Sequence, residues 1–408
     1  MHFLAESERG VKRISLFLFS FFLFGTVTAQ VVDGKLNVEK VEFPATISLD
    51  GEWEFYQDRL YQPYNIPNDK SFAPFPRLWN QLPEGHDTSP FGVATYHMTI
   101  NFPEKPADFA LFVDDMYSAY HLYVDEKIVA INGNVSKDPE EYTPEWVPQI
   151  VPLKQVSGEV SITLHIANFS HSKGGISESI ILGDYDTILT DFTTKKVYDI
   201  ILTCFFVFLG LFFFVRFTFT LSGFESFYFS MFCFAFSYQI IGAKFYVLHQ
   251  VVENYPWEMG VRFEYIALFL SAMFFGLYIK SLYPEETGKY PFWIFFGVSM
   301  IYLTFPLFTP IAFFTGFMLP YFIFLFIYFF YAFTIFISAM GKKRKGAVMG
   351  VIGSGVLFMA MSYTILNHLG LVPKWNALTF FGYGFFMFFH SLQLFQHENH
   401  METDQDQV

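Results

Sequence analysis

Apolar and polar residues alternate along the first half of the chain. Between Gln30 and about Asp186, every second residue is apolar in segments such as 96–102 and 160–166. Because a period of two puts successive side chains on opposite faces of a strand, these segments predict strands with one buried face. Stretches rich in proline separate them. The pattern predicts an all-β sandwich of the jelly-roll type, built from short antiparallel strands.

Continuous apolar stretches replace this alternation after Thr193. A helix needs about 20 predominantly apolar residues to cross a bilayer. We therefore predict an all-α bundle of seven transmembrane helices, at residues 197–217, 225–247, 262–282, 290–308, 311–339, 346–367 and 375–396. The predicted domains are a β domain at 30–190, a helical domain at 196–396 and a short tail at 397–408.

The first 29 residues have the pattern of a signal peptide. Arg9, Lys12 and Arg13 precede an apolar run at 14–24, and small residues precede Gln30. Since the apolar run is too short to span a bilayer, we predict cleavage and export of the β domain, with an uncleaved anchor as the alternative.

The positions of the positive charges predict how the helices are oriented. The densest basic cluster, Lys342, Lys343, Arg344 and Lys345, follows the fifth predicted span. Basic loops remain in the cytoplasm, and export of the β domain puts this loop on the same side. We predict a multi-pass protein of the bacterial inner membrane, with an extracytoplasmic β domain and a cytoplasmic C-terminus.

Composition narrows the possible functions. The 408 residues include 58 Phe and carry a net charge of -13, with the acidic excess concentrated in the β domain. An acidic surface repels phosphate backbones, so no nucleic-acid partner is expected. The run from His397 to His400 lacks the i, i+4 histidine spacing of a zinc helix. We predict a non-enzymatic protein with no catalytic residues, no metal and no cofactor, whose partners include membrane lipid.

Several segments, taken together and in order, resemble a known family. They are Leu49-Asp50-Gly51-Glu52-Trp53-Glu54-Phe55-Tyr56, Pro76-Arg77-Leu78-Trp79-Asn80, Gly92-Val93-Ala94-Thr95-Tyr96, Met116-Tyr117-Ser118-Ala119-Tyr120 and Asn168-Phe169-Ser170-His171-Ser172-Lys173-Gly174-Gly175. The segments are similar to the extracellular part of bacterial seven-transmembrane receptors with diverse intracellular signalling modules. They also resemble the jelly-roll sugar-binding domains of β-galactosidase-type glycoside hydrolases.

The resemblance implies a membrane receptor in signal transduction, with a galactose-binding-like jelly roll that recognises a carbohydrate or another small ligand. Members of that family usually continue past the last span into a kinase, cyclase or similar module, and no such module follows Gln396 in this sequence. The expected output is therefore a separate cytoplasmic signalling protein. The alternative is a membrane-anchored carbohydrate-binding module without signalling.

The ligand site is predicted from side chains that suit a sugar. Aromatic faces stack on sugar C–H groups, and amides or charged groups bind hydroxyls. The candidates are Asn168, His171, Lys173, Trp146 and Tyr142. Two glycines, Gly174 and Gly175, would let the backbone approach a ligand closely. The alternative is that this segment only shapes a turn into the next strand.

Ionisable residues inside membrane helices are candidates for coupling, because burying an unpaired charge there is costly. Lys244 and Glu264 are predicted to pair near the outer ends of the second and third spans, and His390 lies midway along the last span. Interhelical hydrogen bonds are the alternative explanation. We predict that Lys342, Lys343, Arg344 and Lys345 contact the cytoplasmic partner, with simple topological anchoring as the alternative.

Overall fold

The computed structural model shows a β domain followed by a helical domain. It describes residues 30–39, 41, 45–83, 85–220, 223–243, 245–252, 255–368, 372 and 376–405. The predicted signal peptide lies outside the described residues.

The described part of the β domain contains nine strands. They are β1 (Lys35–Asn37), β2 (Thr46–Ser48), β3 (Gly51–Gln57), β4 (Phe72–Phe75), β5 (Gly92–Val113), β6 (Ala119–Val124), β7 (Lys127–Asn132), β8 (Gln149–Asn168) and β9 (Ile181–Asp184).

Two long strands organise the β domain. β5 and β8 pair antiparallel along most of their length, with register shifts between Phe102 and Phe109. The first half of β5 pairs with β3, whereas its second half pairs with β9. β8 pairs with β6, and β6 pairs with β7. Because the irregular register lets long strands bend, both halves contribute to one jelly-roll-like, mainly antiparallel sandwich.

The core of the sandwich confirms the alternation in the sequence. Tyr96, Met98 and Ile100 on β5 are fully buried, and so are Ile162 and Leu164 on β8. The residues between them were expected to face solvent, but Thr163 and His165 are buried as well. The segment around Tyr61 covers this outer face, and the His165 Nε2 lies 2.7 Å from the Tyr61 carbonyl oxygen. Hydrogen bonding to this covering segment explains why His165 is buried, and Thr163 is paired with His97 on β5.

The helical domain comprises seven long helices and two short ones within the described residues. They are α1 (Tyr185–Thr220), α2 (Phe224–Ile241), α3 (Val247–Val251), α4 (Trp257–Leu282), α5 (Lys289–Phe308), α6 (Ile311–Gly316), α7 (Met318–Gly341), α8 (Ala347–His368) and α9 (Asn376–Gln405). α1 packs against α2 and α9, α2 packs against α4, and α8 packs against α9.

Six of the described helices are long and apolar enough to cross a membrane, so the chain is a multi-pass membrane protein. Their spans are Tyr185–Phe219, Trp257–Leu282, Lys289–Phe308, Met318–Gly341, Ala347–Thr364 and Ala377–His397. The second predicted span forms α2, which is 18 residues long and includes Glu225, Gln239 and several serines and tyrosines. These polar residues lower its hydropathy, and a seventh span is not confirmed.

The two domains are joined directly. β9 ends at Asp184, and α1 begins at the next residue, Tyr185. The Asp184 carboxylate accepts hydrogen bonds from the backbone N–H of Thr187 at 3.1 Å and from its hydroxyl at 3.2 Å. An aspartate that satisfies free N–H groups in this way is a typical helix N-cap. The last strand of the β domain therefore continues into the first helix of the bundle.

Candidate functional site

An aromatic cluster with residues from both domains lies at the end of the helical domain that contacts the β domain. Trp146 stacks on Tyr246 with ring centroids 4.8 Å apart, and its ring lies 5.6 Å from that of Trp257. Trp146 is 2% exposed. We call Trp146, Tyr246 and Trp257 the aromatic junction. Apolar burial of this kind is what holds two domains in a fixed relation.

Hydrogen bonds of the neighbouring residues fix the position of Trp146. The Asn132 amide donates to the Glu145 carbonyl and accepts from the Val147 N–H. Asn132 is fully buried. The residues on either side of Trp146 are thus tied to the end of β7, which presents the indole to the helices. The sequence predicted Trp146 as a ligand contact, and the structure places it against the helical domain.

A second contact between the domains surrounds Tyr117. The His171 ring stacks on the Tyr117 ring, with centroids 4.9 Å apart and planes within 8°. The Lys173 ammonium lies 4.8 Å from the centre of the same ring, within the range of a cation–π contact. The N–H of Ser172 donates to the hydroxyl of Thr315 on α6 at 3.3 Å. The segment that carries two predicted ligand residues therefore contacts the helical domain.

His171 is 1% exposed. Burial, reinforced by the charge of Lys173, lowers the pKa of His171 to about 3. The imidazole is therefore neutral at physiological pH. Its Nδ1 accepts a hydrogen bond from the Lys173 N–H at 3.1 Å.

Acidification should weaken the fold through His171. In the unfolded chain a histidine titrates near pH 6.5, so below that pH His171 binds a proton in the unfolded state but not in the folded state. Stability is therefore lost as the pH falls from 6.5 toward 3, by about 2 kcal/mol between pH 7 and pH 5. In thermal unfolding of the full chain in detergent, His171→Phe should reduce this loss by that amount. An equal pH dependence in both proteins would contradict the assignment.

Asn168 uses its amide to shape the turn that follows β8. Its Oδ1 accepts from the N–H groups of Ser170 and His171, and its Nδ2 donates to the carbonyls of Pro90 and His171. Asn168 is fully buried. The amide is thus occupied by the protein itself, in agreement with the alternative that the segment forms a turn. A ligand contact by Asn168 remains an untested prediction.

The two glycines of this segment, Gly174 and Gly175, are packed against other residues of the β domain and do not face open space. A Cβ on Gly174 would lie 2.0 Å from the Pro90 carbonyl oxygen, and one on Gly175 would lie 2.9 Å from the Trp79 indole. The backbone N–H of Trp79 also donates to the Gly174 carbonyl at 2.9 Å. Close backbone approach, which the sequence suggested for a ligand, is used here for packing against Trp79.

Acidic side chains gather near the same interface. Burial raises the pKa of Asp115 well above its usual value, and the nearby carboxylates of Asp114 and Glu264 raise it further. Lys173 is close enough to act electrostatically on Glu264. The predicted partner of Glu264, Lys244, lies outside the described residues. Sequence reasoning missed Asp115 and Tyr117, although Tyr117 stood within a segment that carried the family resemblance.

An open groove of about 560 Å³ lies between the β domain and the start of α4. Its lining residues are Pro139, Tyr142, Pro144, Phe169, Ser170, Pro256, Trp257, Glu258 and Met259. We call this cavity the junction groove. Tyr142, one of the predicted ligand residues, lies in its wall.

A buried polar network connects α4, α8 and α9 nearer the opposite end of the helical domain. The Tyr278 hydroxyl donates to the His390 carbonyl at 3.1 Å, and the His390 Nε2 lies 3.3 Å from the Ser354 hydroxyl. The Gln393 amide donates to the Tyr283 hydroxyl at 3.0 Å. His390 and Gln393 are fully buried. This network places His390 of α9, predicted as a coupling residue, in contact with α4 and α8.

The basic cluster is partly neutralised by the loop between α4 and α5. Arg344 forms ion pairs with Glu285 and Glu286, and Lys342 lies 3.4 Å from Glu286. Partial burial raises the pKa of Glu286, but hydrogen bonds from Arg344 and Lys342 outweigh it and hold the pKa below its usual value. Lys343 and Lys345 are exposed. Contact of this cluster with a partner remains a prediction.

Within the part of the chain that the structure describes, no group of three or more His, Cys, Asp or Glu residues could hold a metal ion.

Comparison with known families identifies the helical domain. Residues 195–397 match the family model described as 7TM diverse intracellular signalling. No curated protein matches the chain.

Solved structures similar to this chain include three glycosidases, and each of these three matches covers 34% of this chain. The Faecalibacterium prausnitzii beta-glucuronidase has a TM-score of 0.28 at 13% identity, with 31% of that chain covered. The Eisenbergiella tayi GH2 beta-galacturonidase bound to galacturonate has a TM-score of 0.26 at 20% identity, with 24% of that chain covered. A glycosyl hydrolase family 2 member from Bacteroides cellulosilyticus has a TM-score of 0.28 at 15% identity, with 20% covered. This chain therefore spans less than a third of each of these proteins.

Proposed function

Because residues 195–397 place the chain in the 7TM diverse intracellular signalling family, we propose that it is a sensor whose β domain binds an extracytoplasmic ligand. The ligand is a small molecule, and a carbohydrate fits best. The helical domain lies in the bacterial inner membrane, and ligand binding shifts it from one packing arrangement to another. A separate cytoplasmic protein receives the signal.

The observation that carries this proposal is the aromatic junction. Trp146 of the β domain is buried between Tyr246 and Trp257 of the helical domain. A domain that only captured polysaccharide would need no more than a tether. A buried interface means that movement of the β domain changes contacts made by the helices, which is the requirement for transmitting a signal.

Two paths lead from the junction into the bundle. One is the direct connection from β9 to α1, capped by Asp184. The other is α4, which begins at Trp257 in the junction and carries Tyr278 in the polar network with His390. A two-state element that both sites bias is the physical basis of coupling between them. We propose that α4 is that element.

The sensor is tested by measuring the distance between two helices at the end of the bundle away from the β domain, with and without a mutation in the aromatic junction. Spin labels at Lys289→Cys and Gln396→Cys, in a chain whose Cys204 and Cys233 are replaced by serine, report the distance between α5 and α9 in lipid nanodiscs. If Trp146→Ala shifts this distance distribution, the junction is coupled to the bundle. An unchanged distribution would favour the alternative, a membrane-anchored carbohydrate-binding module without signalling.

A double-mutant cycle tests whether His390 belongs to this route. We expect Trp146→Ala and His390→Phe to be non-additive by about 1 kcal/mol in the free energy of unfolding, because coupled residues deviate from additivity and distant independent ones do not. The cycle is measured by denaturant unfolding in mixed micelles. Pairing Trp146→Ala with Trp293→Phe, an exposed position on α5, supplies the additive control. If both cycles were additive, His390 would not be coupled to the aromatic junction.

A further inference from the structure

We propose that the interface between the two domains is a proton-operated latch, which is closed while Asp115 carries a proton and is released when this side chain ionises. The inference rests on the proposed function, because it adds a regulator to the interface that carries the sensor. The β domain is predicted to be exported, so the latch responds to the pH outside the cytoplasm.

Asp115 lies in the turn between β5 and β6, where the β domain meets the helical domain. Its neighbour Tyr117 packs against the cluster that contains the aromatic junction. The backbone N–H of Asp115 donates to the Asp114 carboxylate at 2.9 Å. The Oδ2 atom of Asp115 is buried and has no hydrogen-bond partner among the described residues. Because a buried oxygen without a donor makes the charged form costly, this position favours the protonated carboxyl group.

Carboxylates of both domains act on Asp115. Asp114 belongs to the same turn, Glu178 to the segment before β9, and Glu264 to α4. Burial, and then the charges of Asp114 and Glu264, raise the pKa of Asp115, and the backbone N–H of Tyr117 offsets only part of this rise. Ionisation of Asp115 and Glu264 together therefore sets like charges against each other across the interface.

The other titratable groups at this surface do not obscure the effect of Asp115. Those close to Asp115 or to its contacts are Tyr117, Tyr246, Lys173, His171 and His249. Burial raises the pKa of Tyr117, so its hydroxyl keeps its proton. Burial lowers the pKa of His171 to about 3 and that of His249 to about 4. Above pH 6.5 both imidazoles are neutral whether the interface is closed or released.

Backbone strain on both sides of the interface makes a single ionisation effective. Tyr117 has a φ of +59° and Tyr246 a φ of +46°, a left-handed conformation that bulky residues rarely adopt. The indole N–H groups of Trp146 and Trp257 are also buried without a partner among the described residues. Strain and unsatisfied donors oppose the closed packing, whereas the apolar contacts of the aromatic junction favour it. A balance of this kind is shifted by the charge of one carboxylate.

The direction of the pH response follows from the protons that each state binds. In a released interface Asp115 is hydrated and titrates near pH 3.9, whereas in the closed interface it keeps its proton to a higher pH. Between these two values the released state binds fewer protons, so a rise in pH favours release. The ratio of released to closed molecules increases by up to about tenfold per pH unit. This direction is opposite to that expected for His171, which weakens the fold in acid.

The test measures the distance between the two domains from pH 6.5 to pH 9, in the full chain in lipid nanodiscs. Spin labels are placed at Tyr64→Cys on the β domain and at Val251→Cys on α3, two exposed positions. The two native cysteines are replaced by serine, and a chelator is present so that no divalent cation bridges the carboxylates. We expect a second, longer distance whose population grows as the pH rises.

Three variants assign this response to the latch. Asp115→Asn resembles the protonated carboxyl group and cannot ionise, so it should abolish the growth of the longer distance. Glu264→Gln removes the facing charge and should reduce the released fraction at pH 9. Asp69→Asn, at an exposed position of the β domain, is the matched control and should respond as the unaltered chain does. An unchanged distance across this pH range, or an equal response in Asp115→Asn, would overturn the latch.

The latch and the sensor can fail separately. If the distance between the domains responds to pH through Asp115 but the labels at 289 and 396 do not move, the latch stands and the sensor fails. If Trp146→Ala shifts the distance between 289 and 396 while the distance between the domains ignores pH, the sensor stands and the latch fails.

Discussion

Replacing Trp146 with alanine is expected to detach the β domain from the helical domain without unfolding it. Trp146 packs against Tyr246 and Trp257, and it is absent from the core cluster of the β sandwich. Truncating a buried tryptophan costs about 3–5 kcal/mol, and here nearly all of that loss falls on the interface. Hydrogen exchange of amides near the start of α4 should accelerate about a hundredfold or more, since 1.4 kcal/mol corresponds to a factor of ten.

Exchange within β5 and β8 serves as the internal reference for this variant, because these strands do not depend on the junction. Tyr64→Ala is the matched control, since Tyr64 is 73% exposed on the β domain. It should leave exchange unchanged in both domains. Uniform acceleration in the β domain with Trp146→Ala would mean that Trp146 supports the sandwich instead of the interface.

Replacing Gly174 with alanine is expected to destabilise the β domain by roughly 3 kcal/mol, as overpacking of a tight contact does. The new methyl group would lie 2.0 Å from the Pro90 carbonyl oxygen and 2.7 Å from the Trp79 ring. Neither can move freely, because Trp79 is 1% exposed and its indole N–H donates to the Tyr96 hydroxyl at 3.0 Å. Denaturant unfolding followed by tryptophan fluorescence of the full chain measures this loss.

Gly158→Ala provides the comparison for Gly174. Gly158 has a φ of +68°, and a Cβ there would meet no atom within 4 Å. Its replacement should cost only the strain of a left-handed backbone, about 1–2 kcal/mol. If Gly174→Ala destabilised the chain no more than Gly158→Ala, the close packing against Trp79 and Pro90 would be wrong.

The local pattern of apolar and polar residues predicted the strands and helices, but it did not predict contacts between residues that are far apart in the sequence. The alternation at Tyr96, Met98 and Ile100 was enough to predict that these side chains are buried, because the sheet buries one face of β5. Trp146 shows the limit. Its proline-rich surroundings indicate an exposed connection, yet it is buried by Tyr246 and Trp257, about a hundred residues later in the chain. No periodicity within 137–148 could reveal those partners.

The candidate site was predicted in part for the same reason. The sequence singled out the segment from Asn168 to Lys173 and the aromatic residues Tyr142 and Trp146, all of which lie at or near the interface between the domains. It could not distinguish a residue that faces a ligand from one that faces a helix. Trp257 and Glu258 were missed because they follow a short connection and begin an apolar helix, where an aromatic residue is expected at a membrane boundary.

The capped connection between β9 and α1 has a mechanical consequence. α1 is 36 residues long, which corresponds to about 54 Å of helix. The hydrocarbon core of a bilayer is only about 30 Å thick, so this rod extends well beyond it. A tilt of about 5° at the Asp184 cap would carry the other tip of the rod through roughly 5 Å, close to the rise of one helical turn. A lever of this length converts an adjustment at the edge of a β-sheet into a displacement large enough to change which side chains meet on the opposite face of the membrane.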